Sequence, residues 1–228
     1  MIYKIPPGFN IPHHAQTVLA SDFADNPFAD VRILVDDVVL DVGAFVGTFS
    51  VSALEAGARL VVCFEPEAEA LKILCDNLAA YQERAVVVGN AVGANKGIAQ
   101  LTGAWRPGNV SILPGKYVKP RDLGKTKVES LHAVLKRWRP GVVKLDVEEA
   151  EYDILQSLKP GDLRHVHDLF VEFHNWNHHS AVNKRCIGAM LEYLANEGMI
   201  RKDVRPRRSL WQRDPIPVGL MAQIKEKI

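Results

Sequence analysis

From Val38 onward, short apolar runs alternate with longer segments of helical spacing. "DDVVLDVG", "RLVVCFEP", "AVVVGNAVG", "GVVKLDV" and "VHDLFVEFH" are apolar at consecutive positions, as strands covered on both faces are. Between them, "TFSVSALEAG" predicts a helix closed by Gly57, and "EAEALKILCDNLAAYQ" sets Leu71, Leu74, Leu78 and Tyr81 on one helical stripe. "VESLHAVLKRW", "EAEYDILQSL" and "NKRCIGAMLEYLANEG", the last ended by Gly198, predict three more helices. "PIPVGLMAQIK" predicts a final strand, with prolines only at its start, as an edge or hairpin strand requires. Strands alternating with helices predict an α/β fold with a doubly wound, mostly parallel sheet.

Two regions depart from that rhythm. Residues 1–37 are proline-punctuated and predict an N-terminal cap with one short helix near Ala15 to Asp22, ahead of a main domain over 38–228. Near 96–127, glycines, prolines, Trp105 and the pieces "IAQLTG" and "NVSIL" predict a β-rich insertion. A chain of 228 residues suits one full-sized domain. Its 28 basic residues balance 27 acidic ones, which argues against nucleic acid or an anionic membrane as partner and leaves a homo-oligomer open. Cys63, Cys75 and Cys186 are odd in number with no CxxC, as in a reduced compartment. Early prolines, and no apolar run long enough to cross a bilayer, complete the expectation of a soluble, cytoplasmic protein.

The chemistry concentrates at "VVLDVGAFVGTFS". A strand ends in Asp41, Gly43 permits a tight turn, and Gly47 lets the next helix start close by; Glu65 ends the second strand, where a carboxylate can take ribose hydroxyls. Such a turn cradles a nucleotide-like cofactor or merely joins a strand to a helix. A dinucleotide wants G-x-G-x-x-G, whereas this turn reads G-A-F-V-G, and Asp41 repels a pyrophosphate. The ammonium and sulfonium of S-adenosylmethionine suit the carboxylates better.

These stretches, with "VVCFEPEAEALKILCDNL", "VVVGNAVG", "GVVKLDVEEAEYDIL" and "DLFVEFH", resemble in order the motifs of FkbM-type S-adenosylmethionine-dependent methyltransferases. The resemblance runs from about Val38 to the final strand. It implies a seven-stranded Rossmann-like methyltransferase sheet with an antiparallel last strand, and O-methylation of a hydroxyl on a sugar, polyketide or related small metabolite. It also implies that Asp41, Gly43, Ala44, Phe45 and Gly47 line the methionine end of the cofactor. Glu65 then holds the ribose, and Asn90 and Ala91 border the adenine. The chain departs from the family at Phe45, where Asn is usual, and at Glu149, where Gly is usual. A non-catalytic protein whose pocket these changes have closed is the alternative. A positive φ at Glu149 carries a strain of about 1 kcal/mol or more.

An alcohol acceptor must lose a proton to a nearby group. Asp146, Glu148, Glu149 and Glu151 follow the fourth strand, and Glu172 and His174 end the fifth, facing one crevice. Asp146 and His174, then Glu148, are the candidate catalytic residues; Glu149 and Glu151 also suit the first turn of a helix. His174, His178 and His179 with these carboxylates make a divalent metal conceivable, although "HNWNHHS" predicts a loop of ordinary polar residues, so no metal is assigned. His13 and His14 carry less. "RKDVRPRRSLWQRD" predicts a solvated connection between two strands, or a flap whose guanidiniums and Trp211 grip an acceptor.

Overall fold

The computed structural model describes residues 9–11, 28–103, 110–113, 120–174, 181–205 and 208–213. Its elements run β1 (Val38–Val42), α1 (Thr48–Glu55), β2 (Leu60–Phe64), α2 (Ala68–Leu78), β3 (Ala85–Val88), β4 (Ala91–Gly93), β5 (Gly97–Gly103), β6 (Val110–Ser111) and β7 (Arg121–Ser130). Then follow α3 (Leu131–Trp138), β8 (Val142–Leu145), α4 (Glu151–Gln156), β9 (Asp168–Glu172), α5 (Ala181–Asn196), β10 (Ile200–Arg205) and β11 (Arg208–Gln212). The main sheet has seven strands in the order β10-β11-β9-β8-β1-β2-β3. β3, β2, β1, β8 and β9 are mutually parallel, and β11 runs antiparallel to both β9 and β10. The fold is mixed α/β.

Alternation along each strand builds two apolar layers. Leu40, Val42, Val62, Phe64, Val143 and Leu145 face α3, α4 and α5, which contribute Leu131, Val134, Ile154, Leu155, Met190 and Leu194. Val39, Val61 and Val142 face α1 and α2, with Phe49, Leu54, Leu74 and Leu78; Leu71 and Tyr81 flank that layer, completing the helical stripe. Burial on both faces is why these strands read as unbroken apolar runs.

Three expectations are corrected. "AVVVGNAVG" is two strands: β3 closes the main sheet, while β4 pairs with β7 in a second sheet of order β4-β7-β5-β6. Periodicity along the run is continuous, so only strand pairing reveals the break. Val128–Ser130, expected within a helix, end β7, and Ser130 Oγ caps α3 by accepting from the Ala133 amide at 3.3 Å. "RKDVRPRRSLWQRD" is no connection: it forms β10 and β11, so the antiparallel strand is Arg208–Gln212. Its charges hid it, and charge is what an edge strand such as β10 carries. "PIPVGLMAQIK", the helix near Ala15 to Asp22, His13, His14, Trp105, His178 and His179 lie outside the described residues.

At the amino-terminal edge of the parallel strands, buried Asp168 accepts from the Arg32 amide and guanidinium and from Gln212 Nε2 at 2.6–2.9 Å. His167 lies between Asp168 (2.9 Å) and Asp37 (3.1 Å). Burial disfavours the imidazolium, but the hydrogen bonds and charges of Asp168 and Asp37 outweigh it and raise His167 from 6.5 to about 9. Because the folded value lies above the unfolded one, this stabilisation is fully present below pH 6.5 and is lost as pH rises through about 9. The melting temperature is therefore expected to fall between pH 7 and 9.5, with a visibly flatter decline in His167→Gln, read by a thermal melt at each pH.

Candidate functional site

The first turn is built against the end of β8. Register sets Asp41 beside Lys144 on one side and Cys63 on the other. Asp41 is fully buried; its Oδ2 accepts from Ser50 Oγ at 2.6 Å, and its Oδ1 lies 3.3 Å from Lys144 Nζ. Lys144, also buried, donates to the Gly43 carbonyl at 2.7 Å and stands 3.3 Å from Asp146 Oδ2. Burial alone lowers the pKa of an ammonium; the carboxylates of Asp41 and Asp146 reverse that and hold it well above its ordinary value.

Gly43 has φ 78°, and a Cβ there would stand 1.7 Å from the Asp146 carbonyl oxygen, so any side chain would prise the turn off β8. The amides of Gly43 and Ala44 both donate to the Phe64 carbonyl at 3.0 Å. Gly47, at φ 91°, starts α1 where a Cβ would meet Leu74 at 2.7 Å. Phe45 lies at φ 50°, a conformation Asn tolerates and Phe does not favour. Its ring packs on Val46 in a group with Phe9, Ile11 and Ile73. Its amide donates to Glu65 Oε2 at 2.9 Å, while the Glu67 amide donates to Oε1 at 2.8 Å. Burial dominates at Glu65 and raises its carboxyl to about 7 against those two amides. Asn90 Nδ2 donates to Glu129 Oε1 at 3.0 Å, and Ala91 is buried at the start of β4.

Beyond β8 and β9 a second group assembles. Glu148 (φ 57°) and Glu149 (φ 88°) form consecutive left-handed residues. Glu151, fully buried, holds that turn: its Oε1 accepts from the amides of Val147 (3.1 Å) and Glu149 (3.2 Å) and pairs with His174 Nδ1 at 2.8 Å. Ser111 Oγ, from the second sheet, donates to the Glu148 carbonyl at 2.7 Å. His174 Nε2 then faces Glu148 Oε1 at 3.4 Å and Asp146 Oδ1 at 3.9 Å. Burial works against the imidazolium, but Glu151, Glu148 and Asp146 raise it to about 9.

Asp146, Glu148 and His174 thus meet in one place, next to the turn that carries Gly43. Asp41 is buried as a partner of Ser50 and Lys144, and Ala44 is buried beside it. Lys144 went unread, though a lone Lys in an apolar strand signals a paired charge. Glu151 is an anchor, a role that periodicity does not distinguish from an exposed first-turn acid. The acceptor-flap reading of Trp211 and Arg213 is overturned: Trp211 is buried in the core, and Arg213 donates to the carbonyls of Leu163 and Val166 at the opposite edge.

Two substitutions test this framework by urea denaturation. Lys144→Met leaves Asp41 charged and unpaired in the interior and is expected to cost about 3–5 kcal/mol. Glu149→Gly relieves a left-handed Cβ and is expected to gain about 0.5–1 kcal/mol after the added freedom of the unfolded chain.

Among solved structures, the chain is similar to a methyltransferase FkbM from Methylobacillus flagellatus, with 15% identity and a TM-score of 0.52 over 81% of this chain and 45% of that one. It thus spans less than half of that relative's length. It is also similar to a fibrillarin pre-rRNA processing protein from Methanococcus jannaschii, with 13% identity and a TM-score of 0.43, covering 79% of this chain and 68% of that one. No curated protein matches. The family model described as the methyltransferase FkbM domain matches residues 41–199. With the glycine turn, Glu65 and the strand-end acids all inside that span, the chain belongs to the FkbM methyltransferase domain family.

Proposed function

We propose that the chain is an S-adenosylmethionine-dependent O-methyltransferase acting on a hydroxyl of a sugar or other small metabolite. The observation that carries this reading is the union of Glu65 with the glycine turn: the strand-end carboxylate accepts the Phe45 amide, so ribose-holding acid and cofactor turn are one unit. The residues fit the group. Glu65 keeps lone pairs for ribose hydroxyls, Gly43 lets the turn lie directly against the Asp146 backbone, and Lys144 fixes the Gly43 carbonyl. When bound, S-adenosylmethionine supplies an electrophilic methyl group on a sulfonium.

The chain's own task is positioning and proton removal. The Gly43–Gly47 turn and Glu65 orient one reactant. Asp146, Glu148 and His174, at the ends of neighbouring parallel strands, face the acceptor; a carboxylate of Asp146 or Glu148 takes up its proton and His174 orients the pair. The packing of Phe45 on Val46 favours an engaged turn over a ring that closes the pocket. Among the described residues, no helix is long and apolar enough to cross a membrane.

Calorimetric titration with S-adenosylhomocysteine tests the cofactor reading. Glu65 with its carboxyl near 7 is expected to make affinity rise with pH up to about 7, by as much as about tenfold per unit below it. Glu65→Gln is expected to bind roughly tenfold or more weakly, without that pH dependence. No binding at millimolar ligand would sink the reading and leave a methyltransferase fold whose pocket Phe45 has closed.

A further inference from the structure

The group beyond β8 and β9 holds two carboxylates and one imidazole whose ligand atoms all lie within 4.8 Å of one another. Nε2 of His174 is 3.4 Å from Glu148 Oε1 and 3.9 Å from Asp146 Oδ1. Donors about 2.1 Å from a shared ion stand about 3–3.5 Å apart, so small side-chain rotations suffice to close this set on one ion. We propose that Asp146, Glu148 and His174 form a divalent-cation site, and that the cation's remaining positions select an acceptor with two neighbouring oxygens, such as a vicinal diol or a hydroxy-carbonyl.

Three features outside the donor set support this. Glu151, which is not a donor, holds Nδ1 from behind and leaves Nε2 facing the two carboxylates; a carboxylate behind the ring is the usual outer partner of a metal-bound imidazole. The same buried Glu151, whose Oε1 holds His174, keeps its Oε2 without a hydrogen-bond partner among the described residues. Negative charge also gathers around the donors: the carboxylates of Asp41 and Glu151 stand one ion pair away, on Lys144 and His174. Two oxygen donors and one imidazole suit manganese, iron, cobalt or zinc and tolerate magnesium. The acceptor class rests on the methyl-transfer reading; the cation site does not.

The test is a titration of the chelator-treated full chain with Mn²⁺ alone, following loss of the free-ion paramagnetic signal. One Mn²⁺ per chain with micromolar to submillimolar affinity is expected. Affinity should weaken at least tenfold in both Glu148→Gln and His174→Ala, each checked for native circular dichroism, and partly recover in His174→Gln. No binding up to millimolar Mn²⁺, or binding unchanged in both variants, overturns the site. S-adenosylhomocysteine binding without Mn²⁺ binding sinks this inference and spares methyl transfer; the reverse outcome spares the cation site and sinks methyl transfer.

Discussion

A buried ion pair between two adjacent strands organises the functional end of this molecule. Asp41 and Lys144 are register partners on β1 and β8, and both are removed from water. Charges so placed persist only when paired and hydrogen-bonded, because desolvation of either alone costs several kcal/mol. Lys144 meets that demand with Asp41, Asp146 and the Gly43 carbonyl at once. One ammonium therefore ties the glycine turn after β1 to the acid-bearing turn after β8. The absence of a Cβ at Gly43 makes the tie possible, because the two backbones touch there.

The second turn holds the opposite kind of energy. Glu148 and Glu149 occupy left-handed conformations that glycine takes freely and glutamate does not. The conformation persists because Glu151 accepts two amides of the turn and Ser111 donates to its carbonyl. Through Glu151 the turn is also coupled to His174, just beyond the next strand. A proton on the imidazole and a divalent cation are alternative ways to settle the same set of carboxylates. The second sheet enters this balance through Ser111 and, nearer the expected adenine border, through Glu129 at Asn90.

Much of the frame was legible along the chain. Five apolar runs announced β1, β2, β3, β8 and β9, and the stripe Leu71, Leu74 and Leu78 announced α2, because double-sided burial and helical amphipathicity leave their periods in the residue order. The weaker signals failed where long-range pairing decided the outcome. Nothing in "AVVVGNAVG" says that its second half joins another sheet, and nothing in "RKDVRPRRSLWQRD" says that it forms two strands.

The candidate site divides in the same way. Residue order alone determined that Gly43, Gly47 and Glu65 occupy strand-end positions and that Asp146, Glu148 and His174 follow neighbouring strands, since a doubly wound sheet brings its carboxyl ends together. The family resemblance marked the two departures, Phe45 and Glu149, and the structure shows that both take a positive φ. Only the tertiary structure decided which carboxylates work as partners within the protein and which face outward. Asp41 and Glu151 became buried anchors, and Asp146 and Glu148 gathered around one imidazole. That choice depends on contacts between residues tens to a hundred positions apart, and distance along the chain carries no record of them.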